Sequence, residues 1–163
     1  MSRILGIDPG SRITGFGVIE RGSAGRHRYL ASGCIRLDGS DVVDRLSLLF
    51  RRMTEVMDEY RPDEVGIEKV FVNRNVDSAL KLGQARGVVL CVAGLRQLRV
   101  AEYAPRFVKQ TVVGTGAATK TQVQHMVTTL LGLSGTPQAD AADALAVAVC
   151  HANTQRLAER LSG

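Results

Sequence analysis

The chain has 163 residues, a formal net charge of +5 and a sequence pI near 9.5. This length fits one domain with a single core, so we expect one domain over residues 1–163, and the length excludes folds built from two large lobes. The basic residues are dispersed among acids, which favours an anionic partner, and nucleic acid is the commonest such partner.

The cysteines and the N-terminus bear on location. Cys34, Cys91 and Cys150 are far apart in apolar segments, which predicts reduced core thiols and not a disulfide framework or a zinc site. The N-terminal residues lack the charged-then-apolar pattern of a leader, and the longest apolar run is far shorter than a membrane span. We therefore expect a cytoplasmic protein with no membrane partner.

The first predicted element is an apolar run that stops at one acid. Ile4-Leu5-Gly6-Ile7 is continuous and largely branched, which is typical of a strand covered on both faces, and Pro9-Gly10 ends it in a turn. Asp8 therefore emerges at the end of a central strand, half surrounded by apolar residues.

Two more strands and a helix follow. We predict strands at Thr14–Glu20 and Tyr29–Leu37 with a glycine-bearing turn between them, so that the first three strands form an antiparallel, hairpin-led unit. Asp41 can cap a helix whose apolar residues recur at helical spacing until Arg61-Pro62.

A second central strand is predicted at Glu64–Val70, and it places Glu68 near its end as the first strand places Asp8. A polar loop then leads into a helix capped by Asp77 or Ser78 that continues to about Leu98. The second half of this helix is apolar almost all round. That pattern fits a helix central to one fold and equally a helix covered on its outer side by a second subunit.

The last part of the chain alternates one short strand with helices. The predicted ranges are a strand at Arg99–Tyr103 and helices at Pro105–Val112, Thr121–Leu131 and Ala139–Gln155, with residues 156–163 as a flexible tail. A hairpin-led start followed by alternating helices and strands predicts an α/β fold, a mixed sheet with helices on both faces. In such sheets the ligand site lies beyond the carboxyl ends of the strands, where Asp8 and Glu68 should be.

Two more acids stand at the start of the last predicted helix. Asp140 and Asp143 are three residues apart, so they share a face of its first turn, where the helix dipole favours negative charge. Taken alone, this spacing more often marks a capped and solvated helix end. The alanines, leucine and valines around it indicate instead a helix packed closely on a sheet, and we expect both acids to face that sheet.

Four carboxylates gathered at one site repel one another by about 4 kcal/mol per pair at about 4 Å and an effective dielectric constant of about 20. Divalent cations remove that repulsion, and oxygen ligands without Cys or His favour Mg²⁺ or Mn²⁺ over zinc. Two ions roughly 4 Å apart would activate a water and stabilise the leaving 3′ oxygen of a phosphodiester. The acids therefore predict hydrolytic cleavage of a nucleic-acid strand.

The histidines are interpreted as structural. His151 follows Asp143 by about 12 Å along the helix axis, too far to ligate the same ion, and His27 and His125 lack ligand spacing.

These motifs together closely resemble the RuvC family of Holliday-junction resolvases, within the ribonuclease H-like superfamily. The matching segments, which cover nearly the whole chain, are Gly6 to Gly15, Ile67 to Phe71, Asp77 to Gly87, Val108 to Gly114 and Gln138 to Ala146. The resemblance implies a ribonuclease H-like mixed five-stranded sheet. It also implies a Mg²⁺-dependent endonuclease that resolves four-way (Holliday) DNA junctions in recombination and repair by symmetric nicking of two opposed strands.

The resemblance also implies roles for individual residues. The family's catalytic, metal-binding acids carry over onto Asp8, Glu68, Asp140 and Asp143. Its basic residues near the scissile phosphate match Lys109 and Lys120, and its junction-probing aromatic matches Phe71. We expect Phe71 to stack on an unpaired base, worth about 1 to 3 kcal/mol, with Asn73 and Arg74 as neighbouring DNA contacts. The lysines would contact phosphate and add to a salt-dependent affinity.

The partners implied by the resemblance are a second copy of the chain and a branch-migration motor complex. In the homodimer each subunit would nick one of two symmetric strands, which suits the apolar helix after Asp77.

Other functions remain open on the residues alone. A ribonuclease H-like nuclease acting on structured RNA, such as precursor ribosomal RNA, or on an RNA–DNA hybrid would use the same four acids, so only the resemblance favours the junction. A junction-binding module without chemistry is disfavoured by the intact acids. An actin-like ATPase or a sugar kinase needs two such domains and a far longer chain, so the length disfavours that interpretation.

Overall fold

The computed structural model of this chain describes residues 1–39, 41–70 and 75–163. The strands within this part of the chain are β1 (Arg3–Asp8), β2 (Ile13–Glu20), β3 (Arg28–Arg36), β4 (Glu64–Glu68) and β5 (Arg99–Tyr103). The α-helices are α1 (Val42–Tyr60), α2 (Val76–Leu95), α3 (Pro105–Val113), α4 (Lys120–Leu130) and α5 (Ala139–Ser162).

The strands form one mixed sheet in the order β3-β2-β1-β4-β5. β2 is antiparallel to both β1 and β3, whereas β1, β4 and β5 pair in parallel. The predicted sheet, with an antiparallel hairpin-led start followed by parallel strands, is confirmed. It also follows that β1, β3, β4 and β5 all point the same way, so their carboxyl ends lie at one edge of the sheet.

Alternation along β1 sends its side chains into two separate cores. Ile4 faces a layer made by α3, α4 and α5, whereas Leu5 and Ile7 face a layer made by α1 and α2. All three are fully buried, and each such side chain contributes roughly 1.5–3 kcal/mol by leaving water. The prediction of helices on both faces of the sheet is therefore confirmed.

α5 is the central helix of the first layer, and its buried part is rich in alanine. Its residues are buried without a break from Ala144 to Ala152. Small side chains let the helix lie very close to the sheet: a Cβ added to Gly6 in β1 would be 2.1 Å from the main-chain oxygen of Ala144. The position of α5 is therefore determined by backbone contact with the strands.

Some predicted boundaries and environments were wrong. α2 is capped by Asn75, whose side chain accepts hydrogen bonds from the backbone N–H groups of Asp77 and Ser78, so these two residues lie in the first turn and do not cap it. α5 ends at Ser162 and not at Gln155. Cys150 is a core thiol as predicted, but Cys91 is exposed because it lies on the outer face of α2.

α2 is, in the described part of the chain, the helix that is long and apolar enough to cross a membrane by length and composition. Its inner face is occupied: Ala85, Val89, Val92 and Ala93 are buried in the core that α2 shares with α1. A helix with one face in a protein core passes the same test, so this feature is weak grounds for a membrane span.

Candidate active site

The carboxyl ends of β1 and β4 lie side by side at one edge of the sheet. Ile7 pairs with Ile67, so Asp8 and Glu68, which follow them, are neighbours on two parallel strands. Their carboxyl groups share a hydrogen bond. The structure thus brings together two acids that are 60 positions apart in the chain, from Asp8 to Glu68.

The first turns of α5 add two more carboxylates. One oxygen from each of Asp8, Asp140 and Asp143 lies within 4.8 Å of the others. Gly15, the partner of Asp8 on β2, allows this approach, because a Cβ at Gly15 would lie only 2.0 Å from the main-chain oxygen of Asp140. The cluster therefore depends on contact between the α5 backbone and a glycine next to the first acid.

The acids raise one another's pKa, and burial raises it further. Burial raises the pKa of Asp8 to about 9, and the charges of Glu68, Asp143 and Asp140 add to the rise. Burial likewise raises the pKa of Glu68 and the pKa of Asp143. Without a cation, Asp8 therefore holds a proton at neutral pH and donates it to Glu68, which removes one negative charge from the cluster.

Lys109 and Lys120 approach the cluster from the face of the sheet that carries α5. Lys109 is half-buried on α3, and Lys120 is exposed as the first residue of α4. Both ammonium groups oppose the rise in the pKa of Glu68 and of Asp143, so both lie close enough to act on these carboxylates. The start of α4 is held by a capping box between Thr119 and Gln122, which determines where Lys120 lies.

Two residues that hold this site were not identified from the sequence. Arg86 on α2 donates to the main-chain oxygen of Glu68 at 2.9 Å and also to the carboxylate of Glu102 on β5. Thr14 is fully buried, and its hydroxyl bonds to both the N–H and the oxygen of Gly10 at 3.3 Å, which closes the turn after Asp8. Arg86 lies in a segment that matches the family, but its partners are distant in the chain and only the fold reveals them.

His151 belongs to a separate buried network. Its Nδ1 lies 2.7 Å from the hydroxyl of Tyr103, and its Nε2 lies 2.7 Å from the carboxylate of Glu64. Glu64 is at the opposite end of β4 from Glu68. His27 is also engaged elsewhere, with Asn153 at 3.1 Å.

Phe71, which the resemblance assigns to DNA contact, lies outside the described residues, as do its neighbours Asn73 and Arg74, which we expect as further DNA contacts. The segment that contains them joins the carboxyl end of β4 to α2, and the structure describes both of those flanks.

The cluster has the chemistry of a hard-cation site. Its donors are carboxylate oxygens only, they lie close enough to share an ion, and they carry protons or repel one another when no cation is present. Such a site, with two lysines beside it, can bind a divalent cation and the phosphate of a nucleic-acid strand.

Comparisons with known proteins identify similar chains. A family model described as "Crossover junction endodeoxyribonuclease RuvC" matches residues 4–151. Two relatives with that same name come from Hahella chejuensis and Tolumonas auensis. The first is 55% identical over 99% of this chain and 93% of its own length, and the second is 58% identical over 100% of this chain and 94% of its own length.

A solved structure is similar throughout. It is the RuvC of T. thermophilus in complex with a Holliday junction substrate, which is 34% identical to this chain and covers 97% of each chain with a TM-score of 0.91.

Proposed function

This chain belongs to the RuvC family of crossover junction endodeoxyribonucleases, and from that membership we propose that it resolves four-way DNA junctions in recombination and repair by nicking two opposed strands. The observation that supports a hydrolytic reaction most directly is the group of Asp8, Asp140 and Asp143, whose oxygens lie within 4.8 Å of one another. Carboxylates packed this closely at the edge of a sheet are otherwise an energetic cost.

The residues present fit a divalent cation, and we propose Mg²⁺, with two ions per site and Mn²⁺ as a substitute. Asp8, Glu68, Asp140 and Asp143 would hold the ions, since all their donors are hard oxygens. When bound, these ions supply Lewis-acid polarisation of the phosphodiester and activation of a water. The raised pKa of Asp8 supports this, because a site that binds a proton when it has no cation has the charge to bind a cation.

The side chains of the protein position the substrate. Lys109 and Lys120 add positive charge next to Glu68 and Asp143, where they would stabilise the phosphate as charge develops on it. Arg86 holds the main chain at Glu68, so that the carboxylate keeps its orientation toward Asp8. Phe71 is proposed as a junction contact on the grounds of the family resemblance, and Asn73 and Arg74 are proposed as contacts because they are polar neighbours of Phe71 in the chain.

We propose that two copies of this chain pair through the outer face of α2. Val76, Leu80 and Leu95 are 67%, 64% and 73% exposed on that face. Gly83 and Gly87 leave open space there, since a Cβ at either position would meet nothing within 4 Å. Exposed leucines and glycines along one helix allow two such helices to pack closely.

This dimer can be tested by one substitution. Leu80→Arg should give a monomer in analytical ultracentrifugation, whereas Val43→Arg, at a site on α1 that is 63% exposed, should leave the dimer intact. Equal effects of the two changes would exclude α2 as the interface.

We propose a cytoplasmic location, as the isolated cysteines suggest. A branch-migration motor complex is proposed as a second partner on the grounds of the family resemblance.

The experiment that tests the reaction offers the purified protein a labelled four-way junction, a plain duplex of the same sequence and a structured RNA, each with Mg²⁺ or with chelator. We expect paired, symmetric nicks in the junction and only with Mg²⁺. Cleavage of the RNA and not of the junction would refute the proposal and favour the RNA nuclease.

A further inference from the structure

A basic cleft lies at the same edge of the sheet as the acids but on the other face. It has a volume of about 380 Å³ and lies between the turn after β1, the end of β3, and helices α1 and α2. Its cationic residues are Arg12, Arg36, Arg45 and Lys81, and among the described residues that line it the acid is Asp38. Since β1 and β3 run in the same direction, both end at the edge where Asp8 lies.

Two of these cations are available for a ligand. Arg12 and Arg36 are exposed, and neither side chain makes a hydrogen bond or an ion pair with another residue in the described part of the chain. Lys81 pairs with Asp77 at 3.1 Å, but this is an exposed pair one turn apart on α2, which is readily exchanged for a stronger anion. Arg45 donates a hydrogen bond to the main-chain oxygen of Gly39, which holds its side chain at the border of the cleft.

The cleft and the pair Lys109 and Lys120 lie on opposite sides of the acids, and this placement indicates which kind of anion the cleft binds. Lys109 and Lys120 approach the acids from the face that carries α3, α4 and α5, and the cleft approaches them from the face that carries α1 and α2. A strand whose scissile phosphate lies at the acids must continue past them on both sides. Its neighbouring phosphates are regularly spaced anions, which suit guanidinium groups.

We propose that the cleft of Arg12, Arg36, Arg45 and Lys81 binds backbone phosphates of a junction arm, on the opposite side of the scissile phosphate from Lys109 and Lys120. This inference rests on the proposed function, because it takes the junction as the substrate. The contacts are to phosphate, so the cleft adds affinity without reading base sequence. It positions the arm and takes no part in bond cleavage.

The test compares two double variants that remove the same charge. Arg12→Gln with Arg36→Gln changes the cleft. The control, Arg26→Gln with Arg51→Gln, changes two exposed arginines that have no side-chain partner among the described residues, one at the opposite edge of the sheet and one on α1. Binding of a fluorescent four-way junction is measured by anisotropy in chelator over a series of salt concentrations.

We expect the cleft variant to bind more weakly, with a salt slope smaller by about 2 than that of the native chain, since each lost phosphate contact lowers the slope by about 1. Its cleavage rate at saturating junction should be unchanged. The control should retain the native slope. Asp38→Asn should act in the opposite direction and strengthen binding, because it removes the acid from the cleft.

Equal slopes for the two double variants would overturn the proposal and would favour an acidic protein segment as the occupant of the cleft. A loss of the saturated cleavage rate with an unchanged slope would also overturn it. If the native chain bound the junction but did not nick it, the proposed function would fail while the slope comparison still held.

Discussion

Replacing Gly15 by alanine tests whether the close packing of α5 on β2 determines the geometry of the acids in the candidate active site. Gly15 pairs with Asp8 in the sheet, and the added methyl carbon would lie 2.0 Å from the main-chain oxygen of Asp140. Both neighbours of the substitution are therefore metal-ligand candidates, and the obstacle is backbone, which cannot rotate away as a side chain can.

The displacement can be worked out from that distance. Carbon and oxygen atoms in contact lie about 3.3 Å apart, so the start of α5 must move by roughly 1.3 Å, or β2 must move by a similar amount. A misplacement of about 1 Å at catalytic groups costs on the order of 100-fold in rate, which equals about 2.7 kcal/mol of transition-state stabilisation. Overpacking should also lower the free energy of unfolding by about 1–3 kcal/mol.

The assay is single-turnover cleavage of a labelled four-way junction by saturating protein in Mg²⁺, so that the rate reports the chemical step. We expect Gly15→Ala to cut about 100-fold more slowly while binding the junction in chelator as the native chain does, because Lys109, Lys120 and the basic cleft are untouched. Thermal unfolding measured alongside separates loss of fold from loss of geometry.

The matched control is Gly135→Ala in the connector before α5, where a Cβ would meet nothing within 4 Å. It should retain both rate and stability. A folded Gly15→Ala protein that cut at the native rate would show that the contact between α5 and β2 does not determine the position of the acids.

Three further changes test the electrostatics and the supporting contacts. The pKa of Asp8 is about 9 in the folded, cation-free protein and near 3.8 in the unfolded chain. Folding therefore takes up a proton between these two values, and the free energy of unfolding falls as pH rises from about 4 to about 9. The gain in melting temperature of Asp8→Asn over the native chain in chelator should therefore grow from pH 5 to pH 8, and a pH-independent difference would contradict it. The same variant should keep junction binding but lose cleavage. Arg86→Met should raise the Mn²⁺ concentration for half-maximal cleavage by roughly 10-fold or more. The control is Arg96→Met, because Arg96 also donates to one main-chain oxygen and one carboxylate; it should leave that concentration unchanged. If the Arg86 and Arg96 variants needed the same Mn²⁺ concentration, Arg86 would be excluded as a positioning residue. Tyr103→Phe deprives the buried His151 of its 2.7 Å partner and should cost about 1–3 kcal/mol in urea unfolding without slowing cleavage; slower cleavage would show that this network acts on the site.

Much of the site was predictable because it depends on strand ends. A continuous apolar run that stops at Asp8, and another that stops at Glu68, indicated two buried strands with acids at the same end. The spacing of Asp140 and Asp143, in an alanine-rich segment, indicated a helix face turned toward that sheet. These signals are local, and a local signal predicts the folded position of a residue well when the strand or helix that carries it has a strong apolar pattern.

The predictions that were wrong depended on single hydrogen bonds or on neighbours. Asp77, Ser78 and Asn75 are all good caps, so only the backbone conformation selected Asn75. Cys91 lies in a segment that is apolar all round, and nothing in that pattern distinguishes the face of α2 that packs on the core from the face that does not.

The mixed sheet, the order of the elements along the chain, the four candidate acids and the family could be predicted from local patterns and from the resemblance that they carry. Three features emerged only on folding: the close approach of Gly15 to the backbone of Asp140, the hydrogen bond from Arg86 to the main chain of Glu68, and the cleft that Arg12 and Arg36 share with Lys81. This division arises because apolar periodicity reports which face of an element is buried, whereas contacts between residues far apart in the chain depend on how closely two packed elements approach.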